Sequence, residues 1–580
     1  MSTTIEQPRT DLTFRRYRDG ATSWKRMQDK VLRGDKSYQC PTYSQATPPC
    51  QGNCPAGEDI RSWLNIARGI EKPPVGADGK PTMPWQEYAW RRLTECNPFP
   101  AIMGRCCPAP CQDGCNRAKV EDYVGINAVE HFLGNYAIEK GLGFAKPDKE
   151  TGKRVAIIGG GVGGLACAYQ LRKKGHACVV FEAYGKLGGM MAFGLPTYRA
   201  DHAMVDLEIK RIIDMGVEVH LNTRVGKDVS FADLKRDFDA IFIAIGAQQG
   251  NSLDVPGADA PNCIEGLKFL RDYNEGRLTD FKQRVIVIGG GNTAMDVASV
   301  ALRTGALNAQ GRHENAKVLI AYRRTIAEMP ADEIEINSVV REGGEIQIHV
   351  IPVSVVKGAD GRASALRVAR VEWVNKKMVI KEDSEYDIPC DLIIAATGQS
   401  VEWDDMAGLK NARNLANIDN AFQATATPGV FIGGDAVVPD LLTTAIGHGR
   451  IAAEGIDDYI SGRPVEKRPK VDKKLFDLTR KMAEKGIKLE ELHEPLRGTD
   501  VSSIAIHNYD NRSDRALVKP EELFLGHFAY ARRSVRDMNK IDVANVLGNS
   551  QERMIALSET QVQAEAKRCM SCGQCFECDN

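Results

Sequence analysis

Two apolar stretches that end in glycine clusters are the most regular pattern in the chain. The first, RVAIIGGGVGGLACA, begins at Arg154, and a near-copy, RVIVIGGGNTAMDVA, begins at Arg284. Each pattern predicts a short buried strand, a tight turn and a helix. The later segments CDLIIAATG and TPGVFIGGDAV predict further buried strands. We therefore predict an α/β fold with two nested Rossmann-like dinucleotide-binding domains.

The first glycine cluster has the spacing of a pyrophosphate site. Gly159, Gly161 and Gly164 would allow a tight turn, close approach of a phosphate and close packing of the helix. Glu182 ends the next predicted strand, where a carboxylate would accept a hydrogen bond from a ribose hydroxyl. A glycine-rich turn without a function is the alternative, but the strand, helix and carboxylate together favour a nucleotide.

Later segments favour FAD over NAD at this first site. Gly188 and Gly189 form a second glycine turn that could lie against a flavin, and Asp435 could bind a ribityl hydroxyl. A helix predicted to begin near Thr443 or Thr444 would direct its positive end at a reduced flavin, although core packing would also explain it. The other FAD contacts that we predict are Gly163, Gly246, Gly434 and Ala445.

The second glycine cluster predicts a nicotinamide nucleotide site at Gly289 and Gly291. The strand after it ends in Arg323 and Arg324 rather than in a carboxylate. Two arginines would bind a 2′-phosphate that an acid would repel, which favours NADP(H) over NAD(H). Their alternative role is as surface charges. The other predicted contacts are Asn292, Thr293 and Gly398.

The chain has 16 cysteines, and its other features argue against disulfide bonds as their role. The N-terminus has no apolar signal-peptide core and no apolar run is long enough to span a membrane, so we expect a cytoplasmic protein. The near-neutral net charge of −1, without a basic stripe, argues against nucleic-acid binding. A disulfide reductase would need a redox cysteine pair near Gly189. The next cysteine after Gly189 is Cys263, which argues against this class of enzyme.

Two cysteine blocks flank the body of the chain. Eight cysteines lie between Cys40 and Cys115, with repeated separations of three residues and no histidine among them. Thiolates at this spacing suit an iron–sulfur cluster better than zinc. Four more, at Cys569, Cys572, Cys575 and Cys578, lie within the last twelve residues.

The first block carries a family resemblance. GRCCPAPCQDGCNR, then GINAVEHF and the two nucleotide motifs in this order, resembles the glutamate synthase small-subunit family from residue 38 to about residue 460. The resemblance implies an α-helical N-terminal domain with two [4Fe–4S] clusters. One cluster would use Cys54, Cys107, Cys111 and the carboxylate of Glu130.

The ligands of the other implied cluster are Cys50, Cys115 and Cys40. The family usually has a CxxC pair just ahead of the position of Cys50, whereas this chain has only Cys40 there. We expect Cys96 to supply the fourth ligand, with Cys106 as an alternative. Loss of this cluster is the remaining alternative.

The final block, CxxCxxCxxC, is similar to the beginning of a ferredoxin segment. We expect the chain to stop inside such a motif, whose missing part would carry further clusters. One irregular cluster or no cluster are the alternatives. The long extension and this tail also resemble flavoproteins that act with dissimilatory sulfite reductase in sulfur oxidation, which would favour NADH.

These patterns predict an iron–sulfur flavoprotein that passes electrons between NAD(P)H and a protein partner by way of FAD. Alternatives are a glutamate synthase small subunit, an electron-transfer subunit of a 2-oxoacid:ferredoxin oxidoreductase, and a scaffold with structural clusters. We expect a dimer or a larger complex. The predicted regions are an iron–sulfur domain (1–150), an FAD domain in two parts (151–284 and 401–465), an NAD(P)H domain (285–400), a charged extension (466–568) and the cysteine segment (569–580).

Overall fold

The computed structural model of the protein describes residues 42–278, 284–307, 313–471, 515–520 and 530–577. Its first region, which we call the cysteine domain, is a group of short helices between residues 42 and 142. Three of these helices have proline in the first turn, where no backbone N–H is needed. The elements are β1 (Thr42–Gln45), α1 (Pro49–Asn53), α2 (Ile60–Ala67), α3 (Trp85–Leu93), α4 (Pro100–Cys106), α5 (Pro110–Asp113) and α6 (Ile126–Glu139).

The first glycine cluster lies between a buried strand and a helix, as predicted. Four of the five residues of the strand RVAII are buried, because helices or other segments cover both faces of the sheet. The elements of this region are β2 (Arg154–Ile158), α7 (Val162–Lys173), β3 (Ala177–Phe181), α8 (Met190–Phe193), α9 (His202–Ile213), β4 (Glu218–His220), α10 (Phe231–Asp237), β5 (Ala240–Ile243) and β6 (Gln249–Gly250).

The second glycine cluster begins a separate sheet. Its five strands are all parallel, in the order β12-β11-β8-β17-β7, and an antiparallel sheet of β13 to β16 adjoins them in sequence. The elements are β7 (Cys263–Glu265), α11 (Gly266–Asn274), β8 (Arg284–Ile288), α12 (Asn292–Thr304), β9 (Ala306–Leu307), β10 (His313–Glu314), β11 (Lys317–Ala321), α13 (Glu333–Arg341), β12 (Glu345–Gln347), β13 (Val350–Lys357), β14 (Ala363–Val374), β15 (Lys377–Ile380), β16 (Tyr386–Pro389), β17 (Leu392–Ala395) and β18 (Gln399–Ser400).

The chain then returns to the first sheet through β19 (Val430–Ile432), which pairs in parallel with β5. The order of that sheet is β19-β5-β2-β3-β4, and the second sheet is inserted between β5 and β19. This confirms the prediction of two nested Rossmann-like domains. The long helix α14 (Leu442–Ile460) follows β19 and packs on α7.

The last described segment, residues 530–577, packs against the second sheet domain and then against the cysteine domain, and we call it the strap. Ile541 and Val546 of the strap are buried in the core of the second sheet domain. The strap then forms α15 (Glu559–Ala566) and β20 (Gln574–Glu577) against the cysteine domain, where β20 pairs antiparallel with β1. In the described ranges no helix combines the length and apolar character needed to cross a bilayer.

Candidate functional site

The first glycine turn leaves the start of α7 open. Gly159 has a φ of 102°, and a Cβ at Gly164 would lie 2.0 Å from the carbonyl oxygen of Gly159, so both positions require glycine. Gly161 is the N-cap of α7 and supplies no capping side chain. The first N–H groups of the helix and its positive dipole end are therefore available to a phosphate.

Glu182 lies beside this turn at the end of β3. Its Oε2 accepts from the backbone N of Gly160 at 2.8 Å, and its Oε1 accepts from the backbone N of Tyr184 at 2.9 Å. Burial raises the pKa of Glu182, and these amides oppose the shift. The carboxylate lines a cavity of about 680 Å³ together with Gly159, Gly161 and Gly189.

That cavity continues along α7 into a second one, of about 420 Å³, and we call the two together the nucleotide groove. Both cavities are lined by Gly161 and Gly189. The second is also lined by five more of the predicted FAD contacts, Gly163, Gly246, Gly434, Asp435 and Ala445. Burial raises the pKa of Asp435 to about 6. Gly164 and Gly188 do not line the groove and instead shape the turns beside it.

The groove ends at the start of α14, in a cavity of about 780 Å³ that we call the junction cavity. Met190 and Leu442 line both the groove and the junction cavity. Thr443 lines the junction cavity, whereas Thr444 donates from Oγ1 to Oδ2 of Asp440 at 2.8 Å. Because Leu442 is the first residue of α14, the N-terminus of this helix lies at the end of the groove. The N-cap residue offers its first N–H groups no side-chain hydrogen bond.

The second glycine turn reaches the junction cavity from the other side. Asn292 and Thr293, in the first turn of α12, line it, and Gly291 is the N-cap of that helix. Gly289 has a φ of 144° and Gly398 follows β17 with a φ of 127°. The two predicted arginines, Arg323 and Arg324, do not end β11 itself, because the strand ends at Ala321 and Tyr322 lies between them and the strand.

The two arginines differ in their surroundings. Arg323 is exposed, and its carbonyl accepts a hydrogen bond from the indole N–H of Trp373 at 3.0 Å. The guanidinium of Arg324 lies over the Trp373 ring, 4.4 Å from its centroid. This cation–π contact holds Arg324 in place at the end of the strand.

One group of predicted iron ligands converges on a cavity of about 310 Å³ in the cysteine domain, which we call the inner cysteine cavity. It is lined by Cys54, Cys107, Cys111 and Glu130. Cys107 and Thr443 line both this cavity and the junction cavity, so the two adjoin.

Two buried carboxylates face the inner cysteine cavity. The amide Nδ2 of Asn97 donates to Glu130 at 2.9 Å and to Glu58 at 3.0 Å, and Asn127 also donates to Glu130 at 3.2 Å. Burial, and then the charge of Glu58, raises the pKa of Glu130 well above its usual range. Sequence reasoning missed Glu58, which follows the CPAG segment without any motif of its own.

A second group of cysteines lines a cavity of about 360 Å³, which we call the outer cysteine cavity. Its cysteines are Cys50, Cys115, Cys569 and Cys572. Ile126 lines both cysteine cavities, so the outer one lies next to the inner one.

The remaining predicted ligands have different outcomes. Cys96 lines neither cysteine cavity, and its Sγ donates to the carbonyl of Gly57 at 3.7 Å, so the structure does not place it with Cys50 and Cys115 as the prediction expected. Cys106 lines the junction cavity, not the outer cysteine cavity. Cys40 and Cys578 lie outside the described residues, and the backbone of Cys575 pairs with Ser44 between β20 and β1.

Both cavities fit an iron–sulfur cluster by the chemistry of their donors. Burial raises the pKa of the Cys50 and Cys54 thiols well above their usual range, and the neighbouring acidic groups add to this. Such thiols become ligands only where a metal compensates their charge. Over the described ranges, no three His, Cys, Asp or Glu side chains are arranged around a single metal ion.

Two family profiles match the chain. Pyridine nucleotide-disulphide oxidoreductase matches residues 153–449, and the 4Fe-4S cluster domain II of dihydropyrimidine dehydrogenase matches residues 35–142. The small chain of NADPH glutamate synthase from Escherichia coli is 32% identical over 450 residues, which are 72% of this chain and 89% of the relative. The chain belongs to the glutamate synthase small-chain family.

Membership of the glutamate synthase small-chain family makes this protein an oxidoreductase, and its cofactors are FAD, a nicotinamide nucleotide and [4Fe–4S] iron. Two relatives are longer. The beta subunit of NADP⁺-dependent formate dehydrogenase from Moorella thermoacetica is 33% identical over 71% of this chain and 60% of the relative. The beta subunit of NADPH-Fe(3+) oxidoreductase from Geobacter sulfurreducens is 31% identical over 71% of this chain and 64% of the relative.

Proposed function

We propose that the protein transfers electrons between NADPH and a protein redox partner. The observation that carries this proposal is the junction cavity. It is lined by the first turn of α12 at Asn292 and Thr293, by the first turn of α14 at Thr443, and by Cys107 of the inner cysteine cavity. A nucleotide, a flavin and a cluster held at these three places would meet at one cavity.

The cofactors supply the redox chemistry when bound, since a flavin exchanges hydride with nicotinamide and single electrons with a cluster. The residues of the chain bind and orient them. The open N-terminus of α14 would stabilise negative charge at the end of the nucleotide groove. Met103, Leu195 and Leu267 give part of the junction cavity apolar walls against which flat rings could pack.

We assign the binding residues by their place in these cavities. Glu182 would accept from a ribose hydroxyl, the start of α7 would bind the pyrophosphate, and Asp435 would bind the ribityl chain. Cys54, Cys107, Cys111 and Glu130 would hold the inner cluster.

NADPH is the proposed nucleotide because Arg323 and Arg324 lie just after the C-terminal end of β11, without a carboxylate beside them in sequence. A guanidinium binds a phosphate through a planar pair of N–H donors, and an acid at this place would repel it. The names of the three relatives reported above also contain NADP or NADPH. This choice runs against the NADH expected from the sulfite-reductase resemblance.

The names of the relatives and the C-terminal resemblance each suggest a protein partner for the electron transfer. Two relatives are named as beta subunits and one as a small chain, which supports a role within a larger assembly. A sulfite reductase-type enzyme is the partner that we propose from the C-terminal resemblance. The other chain of a glutamate synthase is the second candidate, since the relative with 89% coverage is named as a small chain of that enzyme.

Anaerobic mixing with NADPH tests the proposal. We expect NADPH to bleach the flavin bands and then the broad cluster absorption, with NADH much less effective. Cys107→Ser should leave flavin bleaching intact and abolish the cluster phase, whereas the control Cys263→Ser, at a half-buried cysteine of β7, should behave as wild type. Bleaching by dithionite but by neither nucleotide would refute the proposal.

A further inference from the structure

The outer cysteine cavity is built from both ends of the chain. Cys50 lies in the first turn of α1 and Cys115 follows α5, while Cys569 and Cys572 follow α15 of the strap. We propose that these four cysteines hold a second [4Fe–4S] cluster. The inference deepens the proposed function, on which it rests for the role of the cluster in electron transfer, but its metal chemistry is independent of the nucleotide.

The donor set suits iron and sulfide. Four thiols line the cavity, and none of its lining residues is a histidine or a carboxylate. Two N–H groups point at the sulfurs of the strap: the backbone N of Ser571 donates to Cys569 Sγ at 3.4 Å, and Asn116 Nδ2 donates to Cys572 Sγ at 3.7 Å. Hydrogen bonds of this kind stabilise thiolate ligands and tune a cluster's potential.

Two arginines, one within α2 and one at its C-cap, bind the turn between Cys569 and Cys572, which we call the CxxC turn. Arg61 is buried and donates from one nitrogen to the carbonyls of Cys572, at 2.7 Å, and of Ala46, at 3.1 Å. Arg68 donates to the carbonyl of Cys569 and to Oγ of Ser571. Both contacts join the strap to the cysteine domain at the two proposed ligands.

A buried ion network fixes the helix that precedes the turn. Arg568 is 2% exposed and donates to Glu565 at 2.6 Å and to Glu121 at 3.3 Å. Glu565 also accepts from the backbone N of Gly125 at 2.6 Å, and Glu121 pairs with Arg117. The loop that carries Cys115 and the turn that carries Cys569 are thus parts of one rigid unit.

The position of the cavity gives the cluster a role. The nucleotide groove, the junction cavity, the inner cysteine cavity and the outer cysteine cavity follow one another, and each adjoining pair has lining residues in common. Cys569 and Cys572 are half-buried, in contrast to the buried Cys54 and Cys111. Electrons would therefore pass between this protein and its partner at the outer cysteine cavity.

Iron and acid-labile sulfide analysis of the full chain tests the ligand assignment. We expect about eight irons per wild-type chain and about four in Cys569→Ser/Cys572→Ser, with one of two reduced-cluster signals lost from the electron paramagnetic resonance spectrum. The matched controls are Cys96→Ser and Cys40→Ser, which should keep about eight. Full iron in the double variant, or a loss of about four irons in either control, would overturn the proposal.

A second measurement avoids variants that fail to fold. After the iron is removed from wild-type protein by chelation under oxidising conditions, peptide mapping should find disulfides that join Cys50 or Cys115 to Cys569 or Cys572. Disulfides only within the strap would contradict the shared site. The flavin content and the bleaching of flavin by NADPH should survive in the double variant, so their loss would count against the proposed function rather than the ligand set.

Discussion

The Sγ of Cys107 lies 3.8 Å from the Oγ1 of Thr443. Cys107 follows α4 of the cysteine domain and Thr443 is in the first turn of α14, so this contact crosses between two regions of the chain. It is also the place where the junction cavity meets the inner cysteine cavity. Thr443, in the first turn of the helix that begins where the groove ends, therefore touches a proposed iron ligand.

Thr443→Val should slow electron transfer into the cluster without slowing flavin reduction. Valine keeps the shape but removes the hydroxyl, and loss of one hydrogen bond is worth about 0.5–1.5 kcal/mol, or about twofold to tenfold in rate. Stopped-flow absorbance would separate the flavin and cluster phases. Thr304→Val, at the far end of α12, is the control and should leave both phases unchanged. Equal slowing of both phases would argue against this role.

Arg324→Gln should lower kcat/KM for NADPH by about tenfold to a hundredfold and leave kcat/KM for NADH nearly unchanged. Loss of a charge-assisted hydrogen bond costs about 1.5–3 kcal/mol, and every 1.4 kcal/mol is about tenfold. Steady-state kinetics with both nucleotides would measure this. Arg367→Gln, an exposed arginine of β14, is the matched control. A parallel loss with NADH would mean that Arg324 only supports the fold.

Glu130→Gln should remove the inner cluster or alter its spectrum, whereas Glu58→Gln should keep it. Both carboxylates line the inner cysteine cavity and share the amide of Asn97, so the pair is a matched comparison. The assignment of Glu130 as the ligand predicts the asymmetry. Iron content and paramagnetic resonance would check it, and the reverse pattern would make Glu58 the ligand.

Arg553→Met should detach the strap from the second sheet domain. Arg553 is 5% exposed and both of its terminal nitrogens donate to Glu335 at 2.6 Å, so its removal leaves a buried carboxylate with less compensation. Breaking such a pair costs about 3–5 kcal/mol of unfolding free energy. Urea unfolding and limited proteolysis of the strap would show it. Arg91→Gln, which breaks the surface pair with Glu87, should cost about 0.5 kcal/mol or less.

Glu208 should make the stability fall as the pH rises from about 4.5 to about 7. Burial raises the pKa of Glu208 to about 7, although it accepts from the backbone N of Ala101 and Ile102 and lies near Arg211. The folded state then binds a proton that the unfolded state has released, which favours folding at the lower pH by up to about 3 kcal/mol. Glu208→Gln should flatten the pH dependence of the unfolding midpoint over this window. An unchanged slope would contradict the raised pKa.

The nested fold was predictable because its signals are local. Parallel strands buried on both faces read as apolar runs, and the glycine turns at Gly159 and Gly289 have backbone angles that glycine readily adopts. The predicted set Cys54, Cys107, Cys111 and Glu130 came from a family resemblance, and the structure brings these residues together at one cavity.

The partner cysteines of Cys50 were not predictable in the same way. The sequence predicts Cys96, with Cys106 as the alternative, because neither the spacing nor the resemblance connects Cys50 with cysteines at the other end of the chain. The pair with CxxC spacing is Cys569 and Cys572, and only the tertiary contacts of the strap bring it beside Cys50. The sequence of the strap has no periodic pattern of apolar residues that would predict its position. Isolated buried arginines such as Arg553 and Arg568, rather than an apolar stripe, attach it to the rest of the protein.

Arg61 and the carbonyl of Cys572 that it binds are 511 positions apart in the chain. A polypeptide leaves the ribosome N-terminus first, at about 5–20 residues per second. The cysteine domain would thus wait about 25–100 s for β20 and the CxxC turn, while the two sheet domains between them fold. Iron could be enclosed at the outer cavity only once translation has passed this turn, so maturation of the cofactor there would report that synthesis has reached residue 572.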